Sequence, residues 1–173
     1  MLAHSLTGLR LLLVVPTALA FARPGLMPPM MLLAFIIVAV ASDVLDGKVA
    51  RSTGTASAAG RYFDHGTDFL FVTCGLAGAA YAGYITPLLP PLIIFAFTQY
   101  VLDSRFLHRE KQLRMSQIGR WNGILYFVPL VVLALAGLES FAGIAAGLST
   151  LATGFAWALV LSTLVSIVDR ALA

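Results

Sequence analysis

The chain has 173 residues, 60% of them hydrophobic and 11% charged, with a formal net charge of +3 and a mean hydropathy of +0.93. A soluble domain of this length needs far more charge to cover its surface, and so modest a basic excess gives no reason to expect a nucleic-acid partner. The one cysteine, Cys74, excludes an internal disulfide, and no ligand set surrounds it for zinc.

Six apolar segments follow one another: Ser5–Ala22, Pro28–Ala50, Gly60–Tyr84, Pro87–Leu107, Ile118–Leu138 and Phe141–Ala171. Their apolar runs approach twenty residues, the length a spanning helix needs. The first is expected to be a transmembrane helix rather than a signal peptide, since it lacks a basic leader and Arg10 stands inside the hydrophobic stretch. Arg23-Pro24-Gly25, Ser52-Thr53-Gly54, Thr86-Pro87 and Leu138-Glu139-Ser140 supply breaks between segments. Backbone polar groups in lipid must be bonded within their own segment, so each segment reads as a helix.

The charges orient this bundle. Lys48, Arg51 and Arg61 flank the second connection, and Arg105, Arg109, Lys111, Arg114 and Arg120 lie around the fourth. The third and fifth connections carry no Lys or Arg, and the first carries Arg23 alone. The positive-inside rule then puts the second and fourth connections in the cytoplasm, with both termini. The expectation is an all-α polytopic membrane bundle of six transmembrane helices, forming one domain over residues 1–173.

Of eight acidic residues, four fall between Asp43 and Asp68. Asp43 and Asp46 are three apart near the end of the second segment; Asp64 and Asp68 are four apart near the start of the third. Both spacings place the paired side chains on one helical face. Four uncompensated carboxylates at one membrane depth repel strongly and are costly to desolvate, so positive charge must sit among them. Hard oxygen ligands without a competing His/Cys set suit Mg²⁺, Mn²⁺ or Ca²⁺, and two such ions form a clamp for in-line displacement at phosphorus. The plainer alternative makes the acids helix caps and ion-pair partners of Lys48, Arg51 and Arg61. Gly47, Ala50 and Gly60 lie beside the acids and leave room for a pyrophosphate, although singly each also reads as a helix-packing residue. Arg51 offers a fork of donors to a phosphate. His65, about 100° round the helix from Asp64, is expected to point away from the metals, and His108 to end a helix among cations.

The run Asp43-x2-Asp46-Gly47-x2-Ala50-Arg51-x8-Gly60-x3-Asp64-x3-Asp68 resembles the signature of the CDP-alcohol phosphatidyltransferase family at all eight positions and every gap. The resemblance implies six helices with cytoplasmic ends, and two divalent ions, Mg²⁺ or Mn²⁺. Asp43, Asp46 and Asp64 would bind metal, and Asp68 would bind the second metal and act as general base. Gly47, Ala50, Arg51 and Gly60 would contact the CDP group. Leu6-Thr7-x2-Arg10 resembles the family's first-helix motif, bringing Thr7 to the nucleotide, with His4 where Asn commonly stands. The implied reaction moves a phosphatidyl group from CDP-diacylglycerol to a hydroxyl acceptor and releases CMP. It would take place in a homodimer among membrane lipids, in a bacterial inner membrane with the site facing the cytoplasm.

For the acceptor, Arg105, Arg109 and Arg120 are the clue. They read either as a topology and lipid-contact signal or as a pocket for an acceptor phosphate. Ser116-x2-Gly119-Arg120-x-Asn122-Gly123 is similar to the Ser-x2-Gly-Lys-x-Lys-Thr stretch of phosphatidylglycerophosphate synthases, with Asn122 and Gly123 replacing Lys and Thr. That favours glycerol 3-phosphate, with inositol phosphate or serine as alternatives. A membrane prenyltransferase would carry two acidic motifs far apart in a longer chain. A divalent-cation transporter would hold its carboxylates at the membrane midplane.

Overall fold

The computed structural model describes residues 2–52, 58–103 and 117–172, and every described element is helical. Helices α1 (Leu2–Ala22), α2 (Pro29–Ser52), α3 (Ala58–Tyr81) and α4 (Leu89–Leu102) correspond to the first four apolar segments. The fifth segment is two helices, α5 (Gln117–Leu125) and α6 (Phe127–Ala136). The sixth opens as a 3-10 turn, Glu139–Ile144, and continues as α7 (Ala145–Leu172).

Local chemistry sets these boundaries. Pro129 has no N–H to give the Leu125 carbonyl, and its ring crowds that residue. The hydrogen-bond ladder is therefore interrupted at Tyr126, which keeps helical dihedrals and whose own N–H bonds the Asn122 carbonyl at 2.9 Å. The third segment stops at Tyr81 rather than Tyr84. Gly83 takes φ +80°, Tyr84 N–H reaches the Ala79 carbonyl and Gly83 N–H the Ala80 carbonyl, which closes the helix in a Schellman motif. Gly25, at φ +90°, does comparable turning between α1 and α2. Pro90 and Pro91 fall in the first turn of α4, where missing N–H groups cost nothing.

Contacts fix the directions of the helices. Arg10 in α1 meets Asp64 and Asp68 in the first half of α3, while Ala18 meets Gly78 near the end of α3. The two helices therefore run parallel, and α2 returns antiparallel along the other side of α1 to bring Asp43 back to Arg10. In the other half, Gln99 of α4 donates to the Ile167 carbonyl of α7, and Ser162 of α7 donates to Asn122 of α5. One end of the bundle thus gathers the starts of α1, α3 and α5 and the ends of α2, α4 and α7.

The core runs through the middle: Ile36, Phe71, Leu76, Leu89, Leu130, Ala152 and Ala156 are fully buried. Leu12, Val15, Ile37, Phe95, Leu161 and Val165 point outward and are exposed. A surface this apolar is stable only against lipid. Two helical stretches, Gln117–Ala136 and Glu139–Leu172, are long and apolar enough to cross a membrane by themselves. The apolar parts of α1, α2 and α4 are shorter, Thr7–Ala22, Pro29–Leu45 and Leu89–Leu102. All three bounds are those of the described residues, which leave out the side chains of residues 1–6 and 46–52 and all of residues 104–116. At 24 residues each, α2 and α3 still extend about 36 Å at 1.5 Å per residue.

α1 and α3 approach so closely that a Cβ on Gly78 would sit 2.2 Å from the Ala18 carbonyl oxygen. Backbone against backbone cannot give way as a side chain does. Gly78→Ala should cost about 1–3 kcal/mol, measured as a lower melting temperature in detergent. Gly147→Ala, with nothing within 4 Å of its new Cβ, should leave that temperature unchanged.

Candidate active site

At the end of the bundle that gathers the starts of α1 and α3, side chains from α2 and α3 converge on one guanidinium of α1. Arg10 is fully buried, with 0% of its side chain exposed. Its Nη1 donates to Asp64 Oδ1 at 3.1 Å and also to Asp68 Oδ1. Its Nη2 lies 3.7 Å from Asp43 Oδ1, and its Nε donates to Ser42 Oγ at 3.3 Å. Ser42 in turn donates to the Ala39 carbonyl at 2.8 Å, so its oxygen is turned to accept from Arg10.

The positions follow from helical spacing. Asp64 and Asp68 are one turn apart on α3, and Ser42 and Asp43 are neighbours in the later turns of α2. Thr7, buried one turn before Arg10, lies on the same side of α1. The carboxylates are less enclosed than their partner: Asp43 is 45% exposed, Asp64 23% and Asp68 22%. The site is a floor of buried positive charge with acidic walls open to a ligand.

His65 does not point away from this cluster. Ligand atoms of Asp64, His65 and Asp68 all lie within 4.8 Å of one another. The neighbour that decides its direction is Asp68, not Asp64: His65 precedes Asp68 by three residues, which places the two about 60° apart on one face. Two carboxylates and an imidazole nitrogen so placed form a donor set that can hold a divalent cation.

The backbone of Asp46, Gly47, Ala50 and Arg51 continues α2 beyond Asp43, but their side chains lie outside the described residues. Lys48 and Arg61, offered as ion-pair partners, are in the same position. Gly60 stands one turn before Asp64 on α3 and is half-buried. Arg105, Arg109 and His108 lie outside the described residues altogether, so the proposed convergence of arginines rests on Arg120 alone. Arg120 is exposed in the first turns of α5, a helix that packs against α7 and α6. An open apolar groove of about 400 Å³, lined in part by Leu11, Phe63, Gly66, Leu70 and Phe97, is no part of the acidic cleft. Gly66 and Leu70 lie over half a turn round α3 from Asp64 and Asp68.

The residue the sequence reading passed over is Arg10, noted only as a break in an apolar run and a motif position. Its signal was present: an arginine inside a membrane helix needs an anionic partner, and the acidic cluster was the one set available.

A sequence model of the CDP-alcohol phosphatidyltransferase family matches residues 1–168. The chain belongs to that family. No curated protein and no solved structure matches it. As a family member it is a membrane-embedded transferase of phospholipid biosynthesis, passing a phosphatidyl group from a CDP-alcohol to an acceptor. The family's dependence on divalent metal agrees with the donor set formed by Asp64, His65 and Asp68.

Ser42 makes a local test of the site. Ser42→Ala withdraws an acceptor from a fully buried guanidinium and should cost about 1–3 kcal/mol. A lower melting temperature in chelator-containing detergent, relative to the unaltered protein, is the measurement.

Proposed function

We propose that the enzyme transfers the phosphatidyl group of CDP-diacylglycerol to glycerol 3-phosphate and releases CMP, acting as a single domain over residues 1–173. The observation that carries this reading is the meeting of Asp43, Asp64 and Asp68 at one end of the bundle, partly open and spaced along two helices. In this reading Asp43, Asp46 and Asp64 hold one divalent ion, and Asp68 joins in holding a second, each Mg²⁺ or Mn²⁺. When bound, the ions supply Lewis-acid stabilisation of charge on the phosphoryl oxygens and on departing CMP.

The protein's own groups do the rest. Asp68 takes the proton from the acceptor hydroxyl. That oxygen forms a bond to the lipid-bearing phosphorus as the bond from that phosphorus to the CMP oxygen breaks in line. The proton remains on Asp68, and CMP leaves with the bonding pair. Thr7, Gly47, Ala50, Arg51 and Gly60 hold the cytidine diphosphate. Gly60 supports this placement, since it stands one turn from Asp64 and adds no side chain between donor and acid. Arg105, Arg109 and Arg120 hold the acceptor phosphate, and their bidentate forks aim its hydroxyl at phosphorus. The similarity to phosphatidylglycerophosphate synthases around Arg120 supports glycerol 3-phosphate over inositol phosphate or serine.

We place the protein in a bacterial inner membrane as a homodimer, by the family's plan, with the carboxylates and both termini facing the cytoplasm. The basic residues of the second and fourth connections support that orientation. In a Cys74→Ser background, Gln117→Cys should label from the cytoplasm and Glu139→Cys from the opposite face. Labelling of both from one side contradicts it.

Activity is tested with purified protein, CDP-diacylglycerol and Mg²⁺ or Mn²⁺, following CMP release with glycerol 3-phosphate, inositol phosphate, inositol and serine in parallel. Asp43→Asn, Asp64→Asn and Asp68→Asn should each lower kcat by on the order of 10²–10³, and Arg120→Ala should raise the acceptor KM far more than the donor KM. Turnover with an unphosphorylated acceptor alone rules out the phosphate pocket. Metal flux without CMP release would favour a transporter.

A further inference from the structure

We propose that Arg10 is a built-in counter-ion of the acidic site, holding the carboxylates in place before a divalent cation arrives and competing with that cation for the same oxygens. This rests on the reading of Asp43, Asp64 and Asp68 as cation ligands.

Three observations carry it. The guanidinium is wholly buried while each carboxylate it meets is partly open, so Arg10 lies under the site rather than at its mouth. Its nitrogens reach residues on both acid-bearing helices: Ser42 and Asp43 on α2, Asp64 and Asp68 on α3. The two acids on α3 that it bonds are also the two whose oxygens cluster with His65 as a cation donor set. A charge so placed has two effects of opposite sign. Without a cation it offsets repulsion between acids that otherwise face each other in a poorly solvated end of the bundle. With a cation it becomes a like charge a few ångströms away and weakens binding.

Arg10 therefore exchanges cation affinity for the integrity of the empty site. The ions are held loosely, and the cleft keeps its shape when they leave. The conservative variant separates charge from shape. Arg10→Lys keeps the unit charge and loses the planar fork, while Arg10→Gln keeps hydrogen-bonding capacity and loses the charge.

The test measures Mn²⁺ binding to the purified full-length protein in detergent, by the electron paramagnetic resonance of free Mn²⁺, for the unaltered protein, Arg10→Gln, Arg10→Lys and Asp64→Asn. Melting temperatures are recorded in chelator and in saturating Mn²⁺. Arg10→Gln should bind Mn²⁺ at least ~10-fold more tightly, a smaller change than Coulomb's law gives for a unit charge this close to a dication at an effective dielectric of about 20. Its melting temperature should fall in chelator and recover most of the loss in Mn²⁺. Arg10→Lys should stay within about threefold of the unaltered protein, because the charge that opposes the cation is retained. Where Arg10→Gln does not survive purification, Arg10→Lys decides: Mn²⁺ binding ~10-fold tighter with the charge still present overturns the proposal. Arg10→Gln binding equal to or weaker than the unaltered protein overturns it as well. Loss of Mn²⁺ binding in Asp64→Asn shows that the acids are the ligands, so either result then bears on Arg10 alone. An unaltered protein that binds no Mn²⁺, or an Asp64→Asn variant that binds it undiminished, overturns the ligand reading and this inference together.

Discussion

A buried charge in a membrane bundle must be answered at once, and the meeting of Arg10 with Asp43, Asp64 and Asp68 is that answer here. An unpaired guanidinium at this depth costs several kcal/mol, and so does an unpaired carboxylate. Neither α1 nor α3 can rotate or slide by a turn without separating them. The pairing therefore sets the register of three helices. The backbone contact of Gly78 with Ala18 then lets α1 and α3 lie close enough for short acidic side chains to reach it. Small residues at one end and opposite charges at the other fix the same pair of helices twice, by independent physics.

The second half of the bundle is held by different means. Tyr126 and Thr163 share a 2.7 Å hydrogen bond, Ser162 donates to Asn122 at 2.6 Å, and Gln99 donates to the Ile167 carbonyl at 3.2 Å. Near the same end, Arg170 lies 5.1 Å from the Tyr100 ring centroid and 3.8 Å from Asp103. Apart from the Arg170–Asp103 ion pair and the Arg170–Tyr100 contact these are neutral links, on helices that carry no acidic cluster in the described residues. Between the halves, Phe69 stacks on Phe97 with centroids 4.0 Å apart, and Gly75 accommodates Leu130 at 3.1 Å. The acidic site can therefore be rigid in α1–α3 while α4–α7 supplies a wall tied on mainly by apolar contact.

Much of this was legible in residue order. Hydropathy alone separates six segments, and the Asp43-to-Asp68 spacing names the acids because helical periodicity is a property of local sequence. The interruption at Tyr126 depends on Pro129 three residues on and could have been read from the proline rule. Arg10 as the partner of three acids is a tertiary fact: nothing in residues 1–22 says which helix face meets α2 or α3. It could have been reached by accounting, since one buried cation and one acidic cluster have few other places to go. His65 joins the cluster through Asp68, three residues on and on the same face, although it stands about 100° from Asp64. The early end of α3 turned on Gly83 adopting positive φ, which the sequence permits without requiring.

The site's height in the bundle follows from what it must join. A CDP-alcohol carrying lipid tails stays in the bilayer, while its diphosphate and a polar acceptor stay in water. Drawing those phosphates to the midplane would cost more than any clamp returns. The acids instead stand in the later turns of α2, where charged residues enter the sequence at Asp43, Asp46 and Lys48, and in the first three turns of α3. At that level a lipid can lie alongside the helices with its head at the carboxylates, and an acceptor can arrive without crossing hydrocarbon. Among the described residues Arg10 is the fully buried charge, and it is tolerated because three acids reach down to it. The placement that makes the chemistry accessible also makes the buried charge affordable, so the same few residues shape the fold and the active site together.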